Sequence, residues 1–247
     1  MVDIIIIGGG ASGLIAAISA KEENFALKVA VLEKLQRVGK KIIATGNGRC
    51  NMMNINDCNY FGDNTFAKSV LQKFDVQSNL RFFEEMGLFT RADEEGRIYP
   101  LSNQASGVLD TLRFECERLG VKLITDCEIT KVRKTDKGFK LNEEFFCHKL
   151  VICSGSKAQV KAYCGYELLR NLGHTVTKLS PSLTKLTVKN TQLLKALKGV
   201  RHKAEISLFL DEKKVTTEKG ELLVRDAARM CNMSISSFYR KSKSFKD

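Results

Sequence analysis

Gly8, Gly10 and Gly13, with Glu33 twenty residues after the last of them, have the types and spacing to hold a diphosphate on bare main chain and the attached ribose on a carboxylate. Each glycine has its own task. Gly8 lets the chain leave a strand in a tight turn, Gly10 lets the backbone come within contact distance of a pyrophosphate, and Gly13 lets the following helix pack close to the strand. Ala11 and Ser12 begin that helix, whose free N–H groups and positive dipole end would face the phosphates. The Glu33 carboxylate can accept from both ribose hydroxyls and would repel a 2′-phosphate.

A second group follows at once. Lys34, Gly39, Lys40, Lys41, Gly46, Asn47, Gly48, Arg49, Cys50 and Asn51 mix glycine, amide and cation in a way that a solvated loop does not need. The glycines would let N–H groups approach a planar or anionic ligand, while Lys40 and Arg49 could neutralise diphosphate charge or the anionic N1 region of a reduced flavin. The alternative is a Gly/Asn-rich turn between helices. Cys50 beside Arg49 is either a thiol whose thiolate the cation favours or, as we expect, a packing residue.

These residues need a frame, and the pattern supplies one. Asp3–Ile7 is an apolar run that reads as a buried strand, Ala11 to about Glu22 as a helix, and Lys28–Leu32 as the second strand of a βαβ unit. Residues 66–86 predict one or two amphipathic helices with Phe74, Leu80, Phe82, Phe83 and Met86 in the core, and Ala105–Leu119 another helix closed by Gly120. Short strands are expected at 121–124, 129–134, 139–142 and 145–148. A separate apolar strand, Leu150–Cys153, then runs into Ser154 and Gly155.

Composition sets the outer limits. The chain has 247 residues, 43% hydrophobic and 28% charged, which is ordinary globular usage with no sign of disorder. Its net charge of +12 is spread along the sequence, so a solvated basic surface is the default reading. The longest aliphatic run falls far short of the ~20 residues that cross a bilayer, and no basic signal-peptide head precedes it. Eight cysteines include no Cys-x-x-Cys pair, as suits a reducing compartment, so a cytoplasmic protein is expected. The three histidines, His148, His174 and His202, have no metal-ligand spacing.

The string Thr45-Gly46-Asn47-Gly48-Arg49-Cys50-Asn51, the segment from Gly96 to Ser106, and Leu172-Gly173-His174 followed by Leu179-Ser180-Pro181-Ser182-Leu183 resemble the aminoacetone-oxidase-like flavoproteins, the BaiN/RdsA type of NAD(P)/FAD-dependent oxidoreductases. The resemblance covers about residues 1–223. It implies an α/β fold: a glutathione-reductase-type, Rossmann-like three-layer FAD/NAD(P)-binding domain, with a parallel sheet between helices and a small antiparallel sheet, followed by the start of an inserted β-rich substrate domain. Residues 1–171 would form the first, 172–223 the second, with strands near 184–188 and 204–209 around a helix at 192–197. The cofactor would be FAD. Cys153-Ser154-Gly155 would stand where such domains carry Ala-Thr-Gly, and the Ile129 backbone would lie near the adenine. With no second glycine turn, the choice lies between an oxidase returning electrons to oxygen and a reductase taking hydride from transiently bound NAD(P)H, each acting on a small molecule.

Proteins of this type continue beyond this length into a glycine-rich return segment that is expected to be missing here. Residues 224–247 resemble instead a helix-turn-helix of the serine-recombinase kind, with Ala228 at the helix crossing, Asn232 in the turn and Ser234 as a cap. Arg240, Lys241, Lys243 and Lys246 would then offer phosphate contacts. An amphipathic helix with accidental similarity is the alternative. The chain therefore reads as a truncated or fused flavoprotein, or as a DNA-binding protein that carries a nucleotide domain.

Overall fold

The computed structural model describes residues 2–45, 48–56, 63–156, 165–179, 201–210 and 212–223. In chain order the elements are β1 (Val2–Ile7), α1 (Ala11–Glu23), β2 (Val29–Leu32), α2 (Lys40–Ile43), β3 (Met53–Asn54), α3 (Asn64–Lys73), α4 (Val76–Glu85), β4 (Thr90–Ala92), β5 (Arg97–Pro100), α5 (Ala105–Arg118), β6 (Lys122–Ile124), β7 (Val132–Thr135), β8 (Gly138–Leu141), β9 (Phe145–Ile152), α6 (Tyr166–Asn171), β10 (Arg201–Leu210) and β11 (Lys213–Leu223). They fall into two compact units, residues 1–58 with 68–177 and residues 59–67 with 178–247.

The first unit is built on a six-stranded mixed sheet in the order β6-β2-β1-β9-β8-β7. β1 pairs in parallel with β2 on one side and with β9 on the other, while β8 pairs antiparallel with both β9 and β7. β1 is central and buried on both faces, as its unbroken isoleucine run predicts. Ile6 packs with Leu14, Ile18, Val31, Leu112 and Cys116, which brings α1 and α5 onto one face. Ile5 and Ile7 pack on the other face with Ala30, Leu32, Leu141 and Leu168. Each such aliphatic side chain contributes about 1.5–3 kcal/mol on burial.

Several expectations are corrected. The two strands expected at 145–148 and 150–153 are one, β9, because a strand with β8 on one edge and β1 on the other has no reason to break. The antiparallel strands therefore extend the parallel sheet. The strand expected from Ile129 begins at Val132, since Asn142 Oδ1 accepts from the Thr130 and Lys131 amides and holds that segment in a turn. Phe74 is 62% exposed, because the helix stops there and α4 restarts on Asp75, whose carboxylate accepts from the Ser78 amide at 2.7 Å. Phe83 is buried as expected.

Three strands that the sequence pattern does not predict, β3, β4 and β5, form an antiparallel sheet in the order β3-β5-β4. Leu172-Gly173-His174 closes α6: the Gly173 amide donates to Arg170 and the His174 amide to Leu169, with Gly173 at φ +88°. His148 has a partner after all, since its Nδ1 lies 3.1 Å from the Lys137 carbonyl. In the second unit β10 and β11 form a long antiparallel hairpin. The strand and helix expected at 184–188 and 192–197, and the helix-turn-helix reading of 224–247, lie outside the described residues.

Candidate cofactor-binding site

Parallel pairing brings the C-terminal ends of β2, β1 and β9 to one edge of the sheet. The chain moves from β1 through α1 to β2 on one side, while β9 occupies the other, so the connections diverge at β1. Crevices of this kind are where open α/β sheets receive ligands.

The glycine turn lies at that point and is pinned on its inner side. Gly8 has φ +103°, and a Cβ there would meet the Cys153 carbonyl oxygen at 2.6 Å and Ser154 Cα at 2.8 Å, because the Cys153 amide donates to Ile7 at 2.7 Å and draws the two strand exits together. A Cβ on Gly13 would fall on the Gly8 carbonyl oxygen. Gly10 is different. It has no neighbour within 4 Å of a built Cβ, and its φ of −82° is one that any residue adopts. Nothing in the protein itself requires glycine there, so the residue fits a ligand that must approach the main chain.

Gly10 caps α1, and the first helical bond runs from the Leu14 amide to the Gly10 carbonyl. The amides of Ala11, Ser12 and Gly13 thus precede the helical ladder, and Ala11 and Ser12 are exposed. Donors, dipole and open space coincide at one spot. A diphosphate fits this arrangement.

Glu33 is held beside the turn. Its Oε2 accepts from the Gly9 amide at 2.7 Å and its Oε1 from the Leu35 amide at 2.9 Å, which leaves a lone pair on each oxygen for a hydroxyl. Gly9, given no role by the sequence pattern, is therefore the link between turn and carboxylate. Its carbonyl also accepts from the Gly39 amide at 2.7 Å, and a Cβ on it would meet Val38 Cγ1 at 2.5 Å. The middle residue of the triplet has to be small because Val38 and Glu33 lie against it.

Of the other expected residues, Lys41 joins the crevice: Gly155, at φ +79°, lies so close that a Cβ would strike the Lys41 ammonium. The Ser154 hydroxyl accepts from the Gly165 amide at 2.6 Å and ties the end of β9 to α6. Lys40 is exposed, and Lys34 donates to Glu128 at 2.8 Å. Ile129 is 2% exposed, with its side chain in the core. The neighbouring Glu128 carbonyl accepts from Asn142 Nδ2 at 2.6 Å, a staple that sequence reasoning missed.

Four bonds involve the described residues of the Thr45–Asn51 stretch and Met52 beside it. The Gly48 amide donates to Thr45, the Ala105 amide to Gly48, the Cys50 amide to Thr45 Oγ1 at 3.2 Å, and the Met52 amide to Ile98. Gly48 at φ +65° faces open space, and Cys50 takes φ +61°, a left-handed conformation costly for a side chain of this kind. Arg49 lies with its guanidinium carbon 4.4 Å from the centroid of the Tyr99 ring. Gly46 and Asn47 lie outside the described residues.

Burial pushes the Cys50 thiol above its ordinary value, which weighs against the activated-thiolate reading. Cys153, whose Sγ shares a hydrogen bond with Ser12, is likewise raised, chiefly by burial. Among the described residues five cysteines are free, Cys50, Cys116, Cys127, Cys147 and Cys153, and no three His, Cys, Asp or Glu side chains gather as a metal would need. No helix among them is long and apolar enough to cross a membrane.

Comparison with known proteins settles the kinship of this glycine turn. The HI0933-like protein Rossmann domain matches residues 2–223. The chain belongs to the HI0933-like family. This is a family of FAD/NAD(P)-binding flavoproteins, and the expected α/β Rossmann-like class holds. The 3-dehydro-bile acid delta(4,6)-reductase of Clostridium scindens is 37% identical over 228 residues, covering 89% of this chain and 55% of the reductase. The ribosomal RNA dihydrouridine synthase of Haemophilus influenzae is 26% identical, covering 79% of this chain and 52% of the synthase. The chain thus spans about half the length of the curated relatives it matches. Among solved structures, Thermovibrio ammonificans THI4 overlaps 70% of this chain and 64% of its own at a TM-score of 0.43 and 15% identity.

Proposed function

We propose that the first unit of this HI0933-like chain binds FAD and serves as the flavin-holding part of an oxidoreductase of the reductase type. The observation that carries the reading is Gly10: open on its outer side, unforced in its backbone, and adjacent to the three amides that precede the α1 ladder. Ala11, Ser12 and Gly13 would donate to the diphosphate, and Glu33 would accept from the ribose hydroxyls at the place where Gly9 fixes it. Lys41, beside Gly155, would offset diphosphate charge. Lys40, Gly39, Gly46, Asn47, Gly48, Arg49, Cys50 and Asn51 would line the flavin end. The Ile129 backbone, following the Lys34–Glu128 pair, would lie near the adenine.

Bound flavin would supply two-electron chemistry, taking hydride from a donor such as NAD(P)H and passing it to an unsaturated substrate. The chain's own residues hold and orient; no acid-base pair is placed in that role. Two substrate classes stay in view. The higher identity to the bile acid reductase supports a small hydrophobic molecule. The charge distribution supports RNA instead, because the second unit holds sixteen Lys and Arg against eight Asp and Glu, so the even scatter of basic residues conceals an asymmetry. Six of those sixteen lie in residues 224–247, where the expected DNA contact rests on sequence alone.

A visible spectrum of the purified chain, taken with and without added FAD, followed by anaerobic addition of NADPH, tests the proposal. Flavin absorbance that stays with the protein and bleaches supports it; a folded protein that takes up no flavin refutes it. Retardation of RNA with a steep loss on raising salt would favour the second substrate class, and no retardation the first.

A further inference from the structure

Tyr99 lies on β5, and sequence reasoning gave it no task. It is 5% exposed, so its ring is a fixed platform, and the Arg49 guanidinium lies on that platform. Arg49 is a cation without a carboxylate: among the described residues it has no ion-pair partner, and its Nε is buried with no hydrogen-bond partner at all. A buried, unsatisfied donor of a charged group is costly unless something outside the chain completes it. The described residues on either side of it are bonded to neighbouring segments: the Ala105 amide holds Gly48, and the Met52 amide bonds Ile98, the residue next to Tyr99. The guanidinium thus lies over a buried ring, on backbone that is bonded to its neighbours.

We infer that Tyr99 is a positioning residue: by stacking under Arg49 it orients the guanidinium edge toward an electron-rich, hydrogen-bond-accepting group of the bound flavin. This rests on the FAD reading above. A lysine would keep the charge of Arg49 but lose the flat stack and the Nε donor, so geometry and charge are separable. A cation held near the flavin's pyrimidine edge favours the reduced, anionic form and raises the midpoint potential; a cation released from its ring does so less.

The experiment compares wild type, Tyr99→Phe, Tyr99→Leu, Arg49→Lys, Arg49→Met and the Tyr99→Leu/Arg49→Met double variant. FAD affinity is read by fluorescence, the bound flavin's midpoint potential by dye equilibration, and folding by thermal unfolding. Tyr99→Phe keeps the ring and is expected to match wild type. Tyr99→Leu, Arg49→Lys and Arg49→Met should each weaken FAD binding by about tenfold and lower the potential, and the double variant should be no worse than Arg49→Met. Equal affinity and potential in wild type and Arg49→Lys would overturn the inference even if Tyr99→Leu fails to fold. So would additive effects in the double variant, or a Tyr99→Leu protein that unfolds earlier while its flavin potential stays put. Wild type that takes up no FAD would overturn the FAD reading itself, a result distinct from FAD bound with no effect of these residues.

Discussion

The inner and outer sides of the turn between β1 and α1 are glycine for different reasons. On the inner side, Gly8 and Gly13 meet the chain itself: a Cβ at either would collide with backbone of Cys153, Ser154 or Gly8. On the outer side, three residues before Gly13, Gly10 meets nothing and has ordinary backbone angles. The inner glycines are accounted for by folding alone. Only the outer one calls for a partner, and so the two sides of one turn separate what stability demands from what function demands.

Substitutions can sharpen or break that separation. The largest effect is expected from Gly13→Ala, where a methyl must displace the Gly8 carbonyl; a loss of about 3 kcal/mol or more in chemical denaturation is predicted. FAD binding should fall only because the fold does. Gly10→Ala is the converse: as a helix cap it should cost about 1 kcal/mol or less, yet weaken FAD affinity by at least about tenfold. If both variants lost stability alike, the distinction would be gone. Glu33→Gln tests the junction between the sides. The amide oxygen can replace only one of the two bonds that the carboxylate accepts from Gly9 and Leu35, so a smaller loss of both stability and FAD affinity, a few-fold for the latter, is expected in calorimetry.

The smallest effect lies far from the turn. The Ser78 amide, above all, holds the Asp75 carboxyl below its ordinary value at the start of α4. A group depressed in the folded state adds stability above its unfolded pKa and loses it as pH falls through the folded one. Asp75→Ala should therefore lower the thermal midpoint at neutral pH and make no difference in strong acid. A pH-independent difference would contradict the cap.

Much of this was legible in the residues. The isoleucine run, the glycine spacing and Glu33 place the βαβ unit and its open edge, because strand, turn and helix there are all specified by local sequence. Phe74 was misjudged because its helical period is sound, but Asp75 as a cap ends the helix before that period can be used. The sequence divides β9 in two because its pattern changes where its partner changes, from β8 at Phe145–Cys147 to β1 at Cys147–Ile152, and nothing in the residues marks which strand lies alongside. The Gly9–Glu33 bond and the Arg49–Tyr99 stack join residues 24 and 50 positions apart, which no local rule connects.

The claim that matters most is that a dinucleotide diphosphate rests on the outer side of Gly10. Titrating FAD into wild type and Gly10→Ala in parallel, with unfolding midpoints taken on the same samples, tests it most directly. Saturable uptake by wild type and an affinity at least about tenfold weaker in an equally folded variant is the predicted result. Equal affinity in the two proteins, or no uptake by folded wild type, would contradict it.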